Sequence, residues 1–206
     1  MPTLLSQAEV KIQWSDIEGR VNRKRPRHVE QRSSGWHVMG VLKAPLVAAG
    51  ELKLRDDSTL AGDEMPLCMA IGMAWEDWVV GLYPNIVWQP GEVCLDGIYG
   101  SPDGLSHDAP DDQLMLEEFK ATWMSLRTHE DILKCKKYMW QMAAYCHMNK
   151  AEYARLHVCW MAGEYWKPQT PAYMVYRLHF PAAETERFWA KVVMPNRDRA
   201  PKEIHE

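Results

Sequence analysis

Asp103, Glu118 and Lys120 are the side chains whose types and order could do chemistry. Asp103 stands in the turn sequence Gly100-Ser101-Pro102-Asp103-Gly104, and Glu118-Phe119-Lys120 lies on a strand predicted over Gln113 to Thr122. Side chains alternate faces along a strand, so Glu118 and Lys120 point one way and Glu117 and Phe119 the other. That parity selects Glu118 over Glu117 as the partner of Asp103, and it predicts that loss of the Glu117 carboxylate is mild. Two carboxylates with an ammonium beside them could hold a divalent metal. Phosphodiester hydrolysis needs an acidified water, charge neutralisation in the transition state and help for the leaving oxygen, and magnesium held by carboxylates supplies all three. Asp103 and Glu118 would bridge or face the metal, and the backbone carbonyl of Phe119 could be a further ligand. Lys120 would orient or deprotonate the attacking water, or steady the developing charge. On a solvated sheet the same Glu118 and Lys120 would be an ion pair and no more.

Other elements must position these groups. A helix is predicted from Asp63 to Leu82, with Asp63 as cap, Glu64 in the first turn and Pro66 near the start; Gly72 and Glu76 share one of its faces. Ile86 to Trp88 and Val93 to Tyr99 read as strands around Gln89-Pro90-Gly91, and Ser106 to Asp112 as a polar loop. Thr128, with Asp131 after it, caps a long helix running to about Lys150. Along it Lys134, Lys137, Gln141 and Tyr145 form one polar stripe, while Leu133, Met139, Met142 and Cys146 face the core. Glu152 to Met161 and Ala172 to Phe180 are alternating strands whose connection allows a hairpin, and Ala183 to Val193 is an amphipathic helix. Trp36 to Lys43 is a short helix or strand leading inward. The order gives an α/β fold, a central mixed β-sheet flanked by helices. Residues 1–206 form a single domain, with a basic arm over 1–35, a catalytic core over 63–180 and a polar tail over 195–206.

Composition narrows the classes. Hydrophobic residues make up 47% and charged residues 25%, ordinary values for a globular domain. No segment approaches membrane-spanning length and the first residues carry no apolar run of signal-peptide length, so an intracellular, non-membrane protein is expected. The five cysteines make no CxxC pair and no Cys/His cluster, which argues against structural zinc or an iron–sulfur cluster and for reduced thiols. A net charge of −4 leaves nucleic-acid binding open, because the sign of a local groove outweighs the total. Arg20, Arg23, Lys24, Arg25, Arg27 and Arg32 cluster against the single acid Glu30, and Pro26 prevents a continuous helix. That segment is either a solvated charge run or an arm that grips phosphates, joined there by Lys134 and Lys137 of the polar stripe. The ten tryptophans are mostly core or surface anchors, and the aromatics Trp166, Trp189 and Tyr173 are either core or material for a subunit contact.

The Gly100–Gly104 and Glu118–Lys120 segments resemble the PD-(D/E)XK nuclease superfamily, and the SPDG form looks like its lambda-exonuclease and RecB-type branch. Gln141 and Tyr145 look like that branch's QxxxY motif, and Glu76 sits where such nucleases carry an extra metal ligand. The resemblance covers roughly Asp63 to Phe180. It implies a restriction-endonuclease-like core with Asp103, Glu118, Lys120, Gln141 and Tyr145 as catalytic residues. Glu76, Asp103, Glu118 and the Phe119 carbonyl would hold Mg2+, with Mn2+ able to substitute. Three departures stand out. Met39 occupies the early segment where relatives often place a serine, and the clustered cysteines of the branch that assists CRISPR adaptation are absent, as is any helicase motor.

The expectation is therefore a stand-alone metal-dependent DNA exonuclease of the kind phages use in recombination, DNA processing or repair. It would act on linear DNA with a free end, in the cytoplasm of a bacterial host if phage-encoded. A homo-oligomeric ring and a single-strand-annealing partner are further expectations of the resemblance. The alternatives are an endonuclease or flap-cutting enzyme of the same superfamily, and an inactive DNA- or protein-binding module.

Overall fold

The computed structural model describes residues 1–11, 33–52, 67–122, 132–161 and 172–202. In chain order the strands are β1 (Thr3–Glu9), β2 (Trp36–His37), β3 (Val87–Trp88), β4 (Val93–Leu95), β5 (Ile98–Gly100), β6 (Gly104–Ser106), β7 (Met115–Thr122), β8 (Tyr153–Trp160) and β9 (Ala172–His179). The helices are α1 (Val38–Ala48), α2 (Leu67–Val80), α3 (Lys136–Asn149), α4 (Ala182–Phe188) and α5 (Met194–Arg197). The main sheet has the order β1-β9-β8-β7-β6-β3, and β2, β5 and β4 form a smaller one. Within the main sheet β7 and β8 run parallel, joined by a crossover through α3, while the other pairs are antiparallel.

The parity of β7 assigns its two faces. Leu116 packs with Val38, Leu42 and Leu46 of α1 and with Met142 and Ala144 of α3. Phe119, on the other face, packs with Val79 and Val80 of α2 and with Ile86 and Tyr173. Helices thus cover both faces of a mixed sheet, as the element order predicts. Strand β8, central and covered on both sides, is buried along most of its length, including Arg155 and His157. Among the described residues, no helix is long and apolar enough to cross a membrane.

Several boundaries differ from the sequence reading. Val93 to Tyr99 is a hairpin, because Asp96 (φ 51°) and Gly97 (φ 76°) both take the left-handed conformation of a two-residue turn. Ser106 is not in a loop; it ends β6 and is buried. Lys134 falls in a 3₁₀ turn, Ile132–Lys134, ahead of α3, which ends with Lys150 in the left-handed conformation (φ 54°). The first residues are an edge strand rather than part of an arm, although β1 is exposed along most of its length. The sheet and its cover therefore reach outside 63–180. The tail begins as helix, and Arg197 and Lys202 stand 5.1 and 4.1 Å from the Trp36 ring centroid. Trp189 (4% exposed) and Tyr173 (3%) are core residues and offer nothing to a subunit contact. The basic segment Arg20 to Arg32, the Asp63–Pro66 helix start, Thr128, Asp131 and Trp166 lie outside the described residues.

Candidate active site

The two carboxylates meet where the β6–β7 ladder stops. That ladder ends at the pair Gly104 and Glu117. Beyond it the Asp103 side chain replaces the strand: Asp103 Oδ2 accepts the Phe119 N–H at 2.9 Å. A β residue directs its N–H and C=O to the same side, so the Phe119 carbonyl also leaves the strand toward Asp103. The turn is fixed from behind by Gln89 N–H, which donates to the Asp103 carbonyl at 2.9 Å. Gly104 is required here, since a Cβ would lie 2.7 Å from Ile86 Cγ2 and 3.2 Å from Glu117 Cβ.

Glu118 is fully buried. Its Oε1 accepts from Lys120 Nζ and, at 2.8 Å, from Gln141 Nε2 on α3. Its Oε2 is buried and has no hydrogen-bond partner among the described residues. Lys120 Nζ also stands 3.9 Å from Asp103 Oδ2, so one ammonium lies between two carboxylates. Burial, then the Asp103 charge, pushes the Glu118 carboxyl up to about 8 against the pull of Lys120, and Glu76 adds to the rise. Burial alone would lower the Lys120 pKa, but the Glu118 and Asp103 carboxylates more than offset it and raise it.

Helix α3 closes the site from above. Gln141 Nε2 lies 3.5 Å from the Tyr145 hydroxyl. Burial, then the Glu118 and Asp103 charges, raises the pKa of that hydroxyl. The close approach depends on Gly100, where a Cβ would come within 2.8 Å of Met148 Sδ and 3.0 Å of Tyr145 Cε1. Half-buried Lys137 stands one turn before Gln141 on α3, on the rim of the same site, and burial, then the nearby Lys120 charge, lowers its pKa.

The structure thus gathers Asp103, Glu118, Phe119, Lys120, Gln141 and Tyr145, with Lys137 beside them. Two expected members stand apart. Lys134 lines a cavity between α3 and α4, with Trp140, Arg187 and Lys191, because the 3₁₀ turn takes it off the α3 stripe. Glu76 Oε1 accepts from Trp88 Nε1 at 2.8 Å. Its charge reaches Glu118, but among the described residues no three of His, Cys, Asp and Glu converge to hold a metal. The candidate donors here are all oxygen: Glu118 Oε2, without a hydrogen-bond partner among the described residues, the Asp103 carboxylate, linked to Glu118 through Lys120, and the Phe119 carbonyl on the Asp103 side of β7. That set suits a hard dication that keeps several of its own waters.

On the opposite face Glu117 is the hub of a buried polar network that parity alone does not reveal. Parity places it away from Glu118 correctly, and on that face it is fully buried among polar partners. It accepts from Ser106 Oγ at 2.5 Å and from Arg155 Nη2 and Nε at 2.6 and 2.9 Å, and lies 3.0 Å from His157 Nε2. Arg155 also binds Asp108, and His157 Nδ1 is 2.6 Å from the Tyr173 hydroxyl, which donates to Tyr83 at 3.2 Å. Burial raises the Glu117 pKa, but the hydrogen bonds from His157 and Arg155 prevail and lower it. Burial lowers the His157 pKa despite Glu117. The available signal was Arg155 and His157, two apart on a strand otherwise apolar enough to be central.

No family model matches the chain, and no curated protein matches its sequence. Solved structures with a similar chain course include a phage-related exonuclease from Haemophilus somnus 129PT, 11% identical, with a TM-score of 0.48 and 93% of each chain covered. An alkaline exonuclease from Laribacter hongkongensis is 19% identical, with a TM-score of 0.41 over 79% of this chain and 88% of that one. The protein SSO0001 is 15% identical, with a TM-score of 0.45 over 88% of this chain and 83% of that one.

Proposed function

We propose that this protein is a Mg2+- or Mn2+-dependent deoxyribonuclease that digests linear DNA from an end, of the PD-(D/E)XK type. The observation that carries the reading is the Glu118 carboxylate. One oxygen is fixed by Gln141 and Lys120, and the other is buried without a hydrogen-bond partner among the described residues, beside Asp103. A buried carboxylate oxygen left so is costly unless a cation completes it. Asp103, Glu118 and the Phe119 carbonyl would hold the dication, with Glu76 adding negative charge from farther out. Bound there, it would acidify the attacking water and neutralise charge on the phosphoryl group.

The remaining roles belong to the chain. Gln141 holds Glu118 Oε1 and so keeps Oε2 for the metal. Lys120 stays protonated between the two carboxylates, which favours a donor that orients the attacking water or steadies developing charge over a base. Tyr145 keeps its proton and can donate. Lys137 faces the DNA backbone from the rim, and the Arg20 to Arg32 segment grips phosphates. End dependence rests on the SPDG, EFK and QxxxY segments occurring together. A recombination or DNA-processing role in a bacterial cytoplasm, a single-strand-annealing partner and a homo-oligomer follow from the same resemblance.

The test is incubation with end-labelled linear DNA and closed circular DNA, with Mg2+, Mn2+, Ca2+ or no metal. Expected are loss of linear DNA with Mg2+ or Mn2+, none with Ca2+, whose looser shell positions water poorly, and intact circles. Linearisation of circles at low enzyme would replace the exonuclease reading with the endonuclease one. Metal binding without any cleavage would favour a binding module.

A further inference from the structure

The buried network behind the site takes no part in the chemistry above, yet it ties together the strands that carry both carboxylates. Glu117 sits on β7 next to Glu118. Its Oε1 accepts from Ser106 on β6, and Arg155 and His157 hold it from β8. His157 reaches Tyr173 on β9. The β6–β7 ladder consists of the pairs Gly104–Glu117, Leu105–Leu116 and Ser106–Met115, and Asp103 departs from its open end. So short a ladder leaves few bonds to fix where Asp103 stands relative to Glu118. The Ser106–Glu117 hydrogen bond is one, and the Asp103–Phe119 bond is another. Buried charges are also a costly way to stabilise a sheet, since well-packed apolar side chains in their place are often no worse. A buried ion pair at this spot is better explained by what it holds in place.

We propose that Glu117, held by Ser106 and Arg155, is a positioning residue: it fixes the separation of Asp103 from Glu118 and thereby the dication affinity of the site. The proposal rests on the reading of Asp103 and Glu118 as metal ligands. Groups that hydrogen-bond directly to metal ligands cost about 10–100-fold in affinity when removed, and Glu117, which acts through the strands instead, belongs at the lower end of that scale.

The experiment is calorimetric titration of the full chain with Mn2+ alone, on wild type, Ser106→Ala and Glu117→Gln, together with thermal melts and steady-state cleavage. Ser106→Ala removes one oxygen from the network and is the variant least able to unfold the protein. Expected for it are a melting temperature within a few degrees of wild type, Mn2+ affinity weakened about tenfold, and a lower kcat with the KM for DNA unchanged. Glu117→Gln, measured well below its melting temperature, should weaken Mn2+ at least as much. Wild-type Mn2+ affinity in folded Ser106→Ala would overturn the proposal and leave the network as a stabiliser of the sheet. Failure of the wild type to bind Mn2+ would instead overturn the metal-ligand reading beneath it.

Discussion

Gln141 Nε2 donates to Glu118 Oε1 at 2.8 Å, a bond from α3 to β7 that immobilises the carboxylate from the side opposite the sheet. Gln141 therefore acts on the rate through Glu118. Gln141→Ala should lower kcat by about 10–100-fold, the scale of an outer partner of a metal ligand, with little change in DNA affinity. Lys137→Ala should do the reverse and weaken DNA more than turnover. Steady-state kinetics with a parallel DNA-binding titration separate the two, and unchanged values for both variants would make this face of α3 a bystander.

Lys120 sets a positive charge against the two carboxylates that would hold the dication. Lys120→Ala should lose cleavage by about 10²-fold or more, as expected for a lost donor or acid–base group, yet bind Mn2+ at least as tightly as wild type. Calorimetry and cleavage assays on one preparation check both halves. Wild-type turnover would remove the lysine from the mechanism.

Metal affinity should depend on pH through Glu118. With its carboxyl raised to about 8 by burial and by Asp103, the metal-free site holds a proton that a dication must displace. Mn2+ affinity should rise by about tenfold per pH unit below that value and flatten above it. A flat profile between neutral and mildly alkaline pH would mean Glu118 is already ionised without metal.

The Glu117 network sets the acid side of stability. Glu117 and His157 both have lowered pKa values in the folded protein, so the unfolded chain binds more protons as pH falls. Their contribution is complete above the unfolded histidine value of about 6.5 and drains away first through His157, then through Glu117 below about 4.5. Glu117→Ala, which leaves Arg155 Nε and Nη2 without their acceptor and Arg155 with Asp108 alone, should cost about 3–5 kcal/mol and flatten the part of this acid dependence that lies below about 4.5. Denaturant melts across pH measure both effects.

If the Arg20 to Arg32 segment grips phosphates, DNA affinity should fall with salt at a log–log slope of about −0.9 per phosphate neutralised. Because β1 belongs to the sheet, neutralising Arg20, Arg23, Lys24, Arg25 and Arg27 is the cleaner test than truncation. An unchanged slope would exclude the segment from the DNA interface.

The front of the site was legible because strand parity and helical spacing are short-range rules. Glu118 with Lys120 and Gln141 with Tyr145 each follow from the period of one element, and the structure brings both pairs to one place. What sequence periodicity does not carry is contact across elements. Parity set Glu117 aside from Glu118, but nothing on β7 announces its partners Ser106, Arg155 and His157. Helical spacing singled out Glu76 but could not show that Trp88, from another element, holds its Oε1. The hairpin was readable in principle from Asp96-Gly97, but the apolar residues on either side made one strand the simpler reading. Lys134 went astray because a 3₁₀ turn has a different period from the helix that follows it.

Strand β1 joins Thr3 to His179 across nearly the whole chain, yet it buries little of its own surface. Such an edge opens locally at small cost, whereas β7 and β8, flanked on both sides, open only when the whole protein does. Amide hydrogens of Thr3 to Glu9 should therefore exchange with deuterium far sooner than those of Glu117 to Lys120. On warming, the sheet should peel from the β1 side while Glu118, on β7, keeps its place. The bared edge of β9 would then be a template for another strand, so heat-induced aggregation should begin far from the active site and spare it until late.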